Sequence, residues 1–384
     1  MSPTPTASQV ALVRCSVYED QEVYQAIGRG LALLGGAGRF VHPDEAILIK
    51  PNLLIAASPD SAISPHPTVF RAVARCLQEA GARLAYGDSP AFGPLAVTAW
   101  RAGYAAVASE LDIPLADFSG GQAVSFPQGR LIKQFVIANG VLAADGLVSL
   151  AKLKTHGLAR LTGAVKNQFG CIPGLLKGEF HARMPDRDRF CQMLVDLNRL
   201  LKPRLHIMDA VVAMEGNGPR NGDPRPVSAL LLSADPIALD ATACRLVNLD
   251  PDLVLTVKWG EAWGLGSASR IELLGDPLVS LQVPDFRINR RPMPATGRGG
   301  LLGSLMKKWV IPRPMLAPAG CVACGTCVEV CPVSPKAISL PNHNAGHLPA
   351  YDYDRCIRCY CCQELCPHDA ITIETPLLGR LIHH

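Results

Sequence analysis

Between residues 321 and 366 the sequence repeats one cysteine spacing twice, C-x2-C-x2-C-x3-C-P. The first run is Cys321, Cys324, Cys327 and Cys331, followed by Pro332; the second is Cys356, Cys359, Cys362 and Cys366, followed by Pro367. Thiolates are soft, strong donors to iron, and three at this spacing wrap one iron–sulfur cube while the fourth reaches a second. Two runs therefore predict two [4Fe–4S] clusters. One is expected on Cys321, Cys324, Cys327 and Cys366, the other on Cys356, Cys359, Cys362 and Cys331. Zinc takes four ligands per site and needs no proline after the fourth, and a disulfide framework belongs to secreted chains. Cys361 lies beside a ligand but off the pattern and reads as an unligated thiol. Cys15, Cys76, Cys171, Cys191 and Cys244 have no ligand spacing and read as small core residues. Between the runs, a short strand, a turn at Pro341–Gly346 and a return are expected.

The chain has 384 residues, too many for one small core, so two or three units are expected. Its 37 basic and 33 acidic residues give a net charge of only +4, and aromatics make up 5%. Neither a basic surface nor a base-stacking face for nucleic acid is implied. No run of about 18 apolar residues suggests a membrane span. Met1–Gln9 has neither the basic start nor the apolar centre of a secretory signal, so the cytoplasm is the expected compartment.

From Val10 onward, short apolar runs alternate with amphipathic helical patterns, the signature of β-α-β construction. Strands are expected at Val10–Val13, Ala46–Ile49, Arg83–Tyr86, Gly146–Ala151, Leu205–Met208 and Ala229–Leu232. Helices are expected from Asp20, from a Thr68 cap, over Leu95–Leu111, over Phe190–Leu201 and from Ile237, with a hairpin over Ala123–Ala138. The fold class is α/β, a Rossmann-like, largely parallel sheet with helices on both faces, followed by a small α+β ferredoxin-like unit. The expected boundaries are 1–275 for the large domain, 276–318 for a Pro/Gly-rich basic linker and 319–384 for the cysteine-rich domain. Within the linker, Leu301, Leu302, Leu305, Met306 and Trp309 beside Lys307 and Lys308 suggest a short amphipathic turn packed between domains.

Open α/β sheets bind ligands outside the carboxyl ends of their strands. Five expected strands end there in polar groups: Lys50 and Asn52, Asp88 and Ser89, Lys152 with Lys154 and His156, Asp209, and Asp235. If the strands are parallel, these converge on one polar crevice. The segment 152–174 adds Arg160 and Lys166 on a glycine-rich backbone, the chemistry that a carboxylate or phosphate requires. Residues 209–222 supply Asp209 and Glu215, but Pro219 follows the G-x-G at Gly216 and Gly218, so no dinucleotide fingerprint is present. P-loop, H-E-x-x-H and G-x-S-x-G elements are missing as well.

KPNLL from Lys50, GDSP from Gly87, KTH from Lys154 with TGAVKNQFGCIPG, EGNGP from Glu215 and SADPIALDATACRLV from Ser233 resemble the prokaryotic family of domain of unknown function 362 (DUF362). Residues 319–375 resemble bacterial two-cluster ferredoxins. The resemblance implies the α/β fold and its fusion to a ferredoxin unit, and it implies no settled substrate. The positions that match are Lys50, Asn52, Asp88, Lys154, His156, Lys166, Asn167, Asp209, Glu215, Asn217, Asp235 and Asp240. Of these, Lys154, His156, Lys166 and Glu215 are the candidate catalytic residues. Lys50, Asn52, Asp88, Asn167, Asp209, Asn217 and Asp235 are the candidate substrate-binding residues. The expected activity is an iron–sulfur oxidoreductase passing electrons to a small anionic substrate, with a redox protein as donor or acceptor. An electron-transfer module that docks a protein, or a non-redox enzyme with structural clusters, are the alternatives. No short motif specifies a flavin or a further metal.

Overall fold

The computed structural model describes residues 7–174, 176–292, 309–340 and 347–382. Short runs rich in Val, Ile and Leu become the strands of one mixed sheet. Its members are β1 (Ser8–Arg14), β2 (Ala46–Pro51), β3 (Arg83–Tyr86), β6 (Gly146–His156), β7 (Arg160–Thr162), β8 (Leu205–Glu215), β9 (Asp223–Ser233) and β10 (Ile271–Gly275). The spatial order is β10-β1-β9-β8-β6-β2-β3, with β7 folded back on β6. A separate hairpin, β4 (Gly121–Ser125) with β5 (Gln134–Ala138), forms where alternation predicts it.

Six strands run the same way: β10, β1, β8, β6, β2 and β3. β9 runs against both its neighbours. The reason is local, because only the short loop after Glu215 separates β8 from β9, and a parallel return needs a crossover of a dozen residues or more. Side chains alternate between two apolar layers. Ala11, Val13, Ile47, Ile49 and Ile207 pack on the helices Asp20–Leu33 and Pro67–Glu79. Leu12, Leu153, Met208 and Leu231 pack on Arg187–Leu201 and Pro236–Leu246.

Several expected boundaries move. His66, not Thr68, caps the second helix, its Nδ1 accepting from the Thr68 amide at 3.3 Å. The helix expected over Leu95–Leu111 is two, Leu95–Arg101 and Tyr104–Glu110. The break falls at Gly103, whose φ of +80° favours glycine. β6 and β8 are eleven residues each and run well past the expected Ala151 and Met208. Lys152, Lys154, His156, Asp209 and Glu215 therefore lie on strands rather than in loops.

Beyond β10 the chain stays on the large unit, with Phe286 fully buried in its core. β11 (Arg313–Leu316) pairs with β14 (Ile371–Glu374), and β12 (Ile338–Ser339) with β13 (Ala350–Tyr351). Short helices at Thr326–Glu329 and Cys361–Leu365 complete this small unit around Cys327, Ile338, Cys362, Cys366 and Ile371. The amphipathic turn expected at Leu301–Lys308 and the turn at Pro341–Gly346 lie outside the described residues.

Asp240 ties the two sides of the fold together. From the helix Pro236–Leu246 it accepts the backbone amides of Ala164 at 2.6 Å and Val165 at 3.2 Å. Gly163 permits this approach, since a Cβ there would overlap the carboxylate. Burial nevertheless pushes the Asp240 carboxyl up to about 7. Replacing Asp240 by Ala strands two buried donors, each costing about 1–3 kcal/mol. A clear drop in the denaturation midpoint is expected for Asp240→Ala, and an unchanged midpoint would show that these bonds carry no stability.

Candidate functional site

Lys50, next to last in β2, has its side chain fully buried, and Asp88 lies two residues beyond the end of the adjacent strand β3. Their ion pair measures 2.8 Å. Asn167 Oδ1 accepts from Lys50 Nζ at 2.9 Å, while its amide donates to Ser149 Oγ and to the Lys50 carbonyl. Asp88 also accepts from the Leu53 and Ser89 amides. Gly170 makes this cluster possible, because a Cβ there would overlap Asp88 Oδ1 and crowd Lys50 Nζ.

Above this cluster lies a cavity of about 440 Å³. Lys50, Asn52, Asp88, Lys166 and Asn167 form its floor, with Lys177 and His181 at one side. Leu53, Phe92 and Phe169 supply apolar wall. The opposite wall comes from the cysteine-rich unit: Glu329, Val330, Cys361, Glu364 and Leu365. Among the described residues, no hydrogen-bond or ion-pair partner is found for the Lys166 ammonium. Asn52 Oδ1 and His181 Nδ1 are likewise buried without a partner.

On β6, Lys152, Lys154 and His156 are two residues apart and share one face. Lys152 pairs with Asp209 at 2.8 Å, which also accepts from Tyr18 Oη and the His66 amide. Among the described residues Lys154 has no ion pair, and it donates to Ile63 O at 2.6 Å. Burial, reinforced by Lys166, brings the Lys154 ammonium down to about 7. His156 Nδ1 accepts from the Leu158 and Ala159 amides, so its proton lies on Nε2, which faces Glu364 Oε2 at 3.5 Å. Burial and then Lys166 lower His156 to about 4. Burial alone would raise Glu364, but the His156 imidazole, Lys166 and His181 outweigh it and hold the carboxylate ionised. Lys177 donates to Ser89 O, Ser89 Oγ and Ile172 O, and burial brings it down to about 8.

The structure thus gathers Lys50, Asn52, Asp88, Lys166 and Asn167 on the cavity. Lys154 and His156 stand one layer behind, and Asp209 lies in the separate Lys152–Tyr18 network. Glu215 is taken by Arg287, at 2.7 Å. Asn217 grips the cysteine-rich unit, donating to Asp369 Oδ1 at 2.6 Å and accepting from Gln363 Nε2 at 2.7 Å. Asp235 is not at this edge. Because β9 is reversed, Asp235 sits at the other end of the sheet, capping Ile237 and Ala238 and accepting from Ser8 and Ser267. Lys177 and His181 were not among the expected site residues, although their spacing of four on one helix offers a signal. Glu364 carries none until the two units are seen together.

The cysteines fall into two sets. Cys331, Cys356, Cys359 and Cys362 line one cavity, walled by Pro314, Ala337 and Ile338. Cys327 is buried, and burial with the neighbouring Cys321, Cys324 and Cys366 sulfurs pushes its thiol up to about 11. Each set takes three sulfurs from one run and the fourth from the other, a donor set that fits an iron–sulfur cube.

A largely parallel α/β domain whose pocket is closed by a ferredoxin-type unit defines a class: an iron–sulfur protein with a fused small-molecule-sized cavity. Residues 47–245 match the family model described as a domain of unknown function (DUF362), and residues 320–370 match the 4Fe-4S dicluster domain. The chain belongs to the DUF362 family. It is 40% identical over 261 residues to the thylakoid-associated protein sll1697 of Synechocystis sp., covering 67% of this chain and 79% of that one. Among solved structures it is similar to the lactate racemase apoprotein of Thermoanaerobacterium thermosaccharolyticum, at 13% identity and a TM-score of 0.38 over 61% of this chain. It is also similar to a Thermotoga maritima protein, at 11% identity and a TM-score of 0.36 over 61% of this chain. The chain spans 56% and 60% of those two structures' lengths. No helix among the described residues is long and apolar enough to cross a membrane.

Lys154 gives a pH test of this geometry. Its folded pKa near 7 lies below the ordinary lysine value, so the unfolded chain binds the extra proton between about 7 and 10. Stability should therefore rise with pH across that interval, relative to Lys154→Met. Urea titrations at pH 7 and 9 check this, and parallel pH profiles for the two proteins would rule out the buried neutral lysine.

Proposed function

We propose that the protein is an iron–sulfur oxidoreductase whose substrate, a small molecule bearing an anionic group, occupies the cavity between the large domain and the ferredoxin unit. What supports this most is that Cys361, Glu364 and Leu365 of the second cysteine run form one wall of a cavity whose floor carries Lys166 without a close partner. Cys321, Cys324, Cys327 and Cys366 would hold one [4Fe–4S] cluster, and Cys331, Cys356, Cys359 and Cys362 the other. Bound there, such clusters supply electrons one at a time.

The chain's own residues bind and protonate. Lys166 receives the anionic group, and Asn52 Oδ1 offers an acceptor to a donor on the substrate. Lys177, an ammonium with its pKa brought close to the working range, stands in the cavity wall as the proton donor. His156 positions Glu364 across the domain boundary. The Lys50–Asp88–Asn167 cluster fixes the floor. A redox protein in a reducing cytoplasm would exchange electrons at the first run, where Cys324 is exposed.

Native mass spectrometry of the anaerobically purified protein tests the reading. Wild type should retain a small molecule, and Lys166→Met should weaken its binding about tenfold or more, about 1.4 kcal/mol. A co-purifying protein with no small molecule would instead favour the docking module.

A further inference from the structure

The two cysteine runs are equivalent position by position, and the sulfur environments can be compared in the same way. Two residues after the second cysteine of each run stand Thr326 and Cys361. Thr326 Oγ1 lies 3.4 Å from Cys324 Sγ, and Cys361 is a buried free thiol next to Cys362. The off-pattern cysteine is therefore the positional counterpart of a threonine.

Beyond this shared feature the runs differ. Tyr351, on β13, donates from its hydroxyl to Cys362 Sγ at 3.6 Å. The counterpart of Cys362 is Cys327, and among the described residues no side chain is found donating to it. Tyr351 is held in place by stacking on Tyr353, with ring centroids 5.5 Å apart and planes within 5°. Tyr353 is itself anchored through its hydroxyl to Pro314 O at 2.8 Å, with the guanidiniums of Arg313 and Arg358 over its ring. The donor is thus pre-oriented toward the sulfur.

We propose that Tyr351 is a redox-tuning residue of the site formed by Cys331, Cys356, Cys359 and Cys362, raising its reduction potential through a hydrogen bond from its hydroxyl to the Cys362 sulfur. A reduced cluster carries one more electron than the oxidised one, and part of that charge sits on its sulfurs. Donors aimed at those sulfurs stabilise the reduced form more than the oxidised form. Cys361 also lines the cavity, so the tuned site is the one on the substrate side. This inference rests on the iron–sulfur reading of the eight cysteines.

The test is a redox titration of the full-length, cluster-loaded protein, followed by electron paramagnetic resonance with dithionite as the electron source. Iron and sulfide are measured first for every variant; a wild type without two clusters would overturn the cofactor reading itself. With both clusters present, Tyr351→Phe should shift one midpoint potential negative and leave the other in place. Tyr353→Leu, which removes the ring that holds Tyr351 toward the sulfur, should shift the same potential negative. The inference is overturned if Tyr351→Phe moves neither potential or moves both alike. Should Tyr351→Phe fail to hold its cluster, Tyr353→Leu decides: a negative shift of one potential alone supports the proposal, and no shift overturns it.

Discussion

An ammonium group inside a protein must be paired, or else give up its proton. Three lysines, Lys50, Lys152 and Lys154, are at most 1% exposed at the carboxyl edge of the sheet, and the site follows from how each is satisfied. Lys50 takes Asp88 and Lys152 takes Asp209, both at 2.8 Å. Breaking a buried pair by removing one partner costs about 3–5 kcal/mol, so the strand ends that carry these residues are locked in register. Among the described residues Lys154 is bonded to a carbonyl alone, and burial makes its charge marginal. Among the described residues, Lys166, on the helix Ala164–Asn167, has no hydrogen-bond or ion-pair partner and faces the cavity.

A second constraint joins the units. The loop after β8 holds the helix between Cys362 and Cys366 from outside: Arg220 donates to Leu365 O at 2.8 Å and Asn221 to Cys366 O at 3.1 Å. Asn217 and Gln363 add a side-chain contact beside them. Gly157 brings β6 close to the same unit, since a Cβ there would overlap Ile373. The ferredoxin unit is therefore seated on the cavity through several polar contacts, and Glu364 enters the pocket as a result. A residue of the electron-carrying unit and residues of the sheet share one binding space.

How much of this is written in the sequence depends on the kind of interaction. Cysteine spacing specifies the two thiol sets, because ligand geometry is local in each run. The α/β class and the polar crevice follow from strand alternation and strand-end residues, which make Lys50, Asn52 and Asp88 legible; Lys166 stands out in its glycine-rich basic segment, and Asn167 only through the family resemblance. Asp235 was misplaced because β8 runs on into a Gly/Asn/Pro-rich stretch and the first half of β9 is largely exposed and carries Pro224 and Pro226, so both extensions read as loop and left apparent room for a crossover. Once β8 reaches Glu215, EGNGPRNG is plainly a hairpin turn, and β9 must reverse. Asn217 looked like a substrate ligand because nothing in its own segment reveals that another unit packs on it. Glu364 and Cys361 were hidden for the same reason: contacts between units leave no periodic trace in either one.

The central claim is that the cavity's occupant exchanges electrons with the adjoining iron–sulfur unit. The most direct measurement is anaerobic stopped-flow mixing of the reduced protein with the small molecule recovered from its native form, following cluster absorbance. The account predicts re-oxidation in proportion to the molecule added. Clusters that stay reduced while the molecule binds would contradict it.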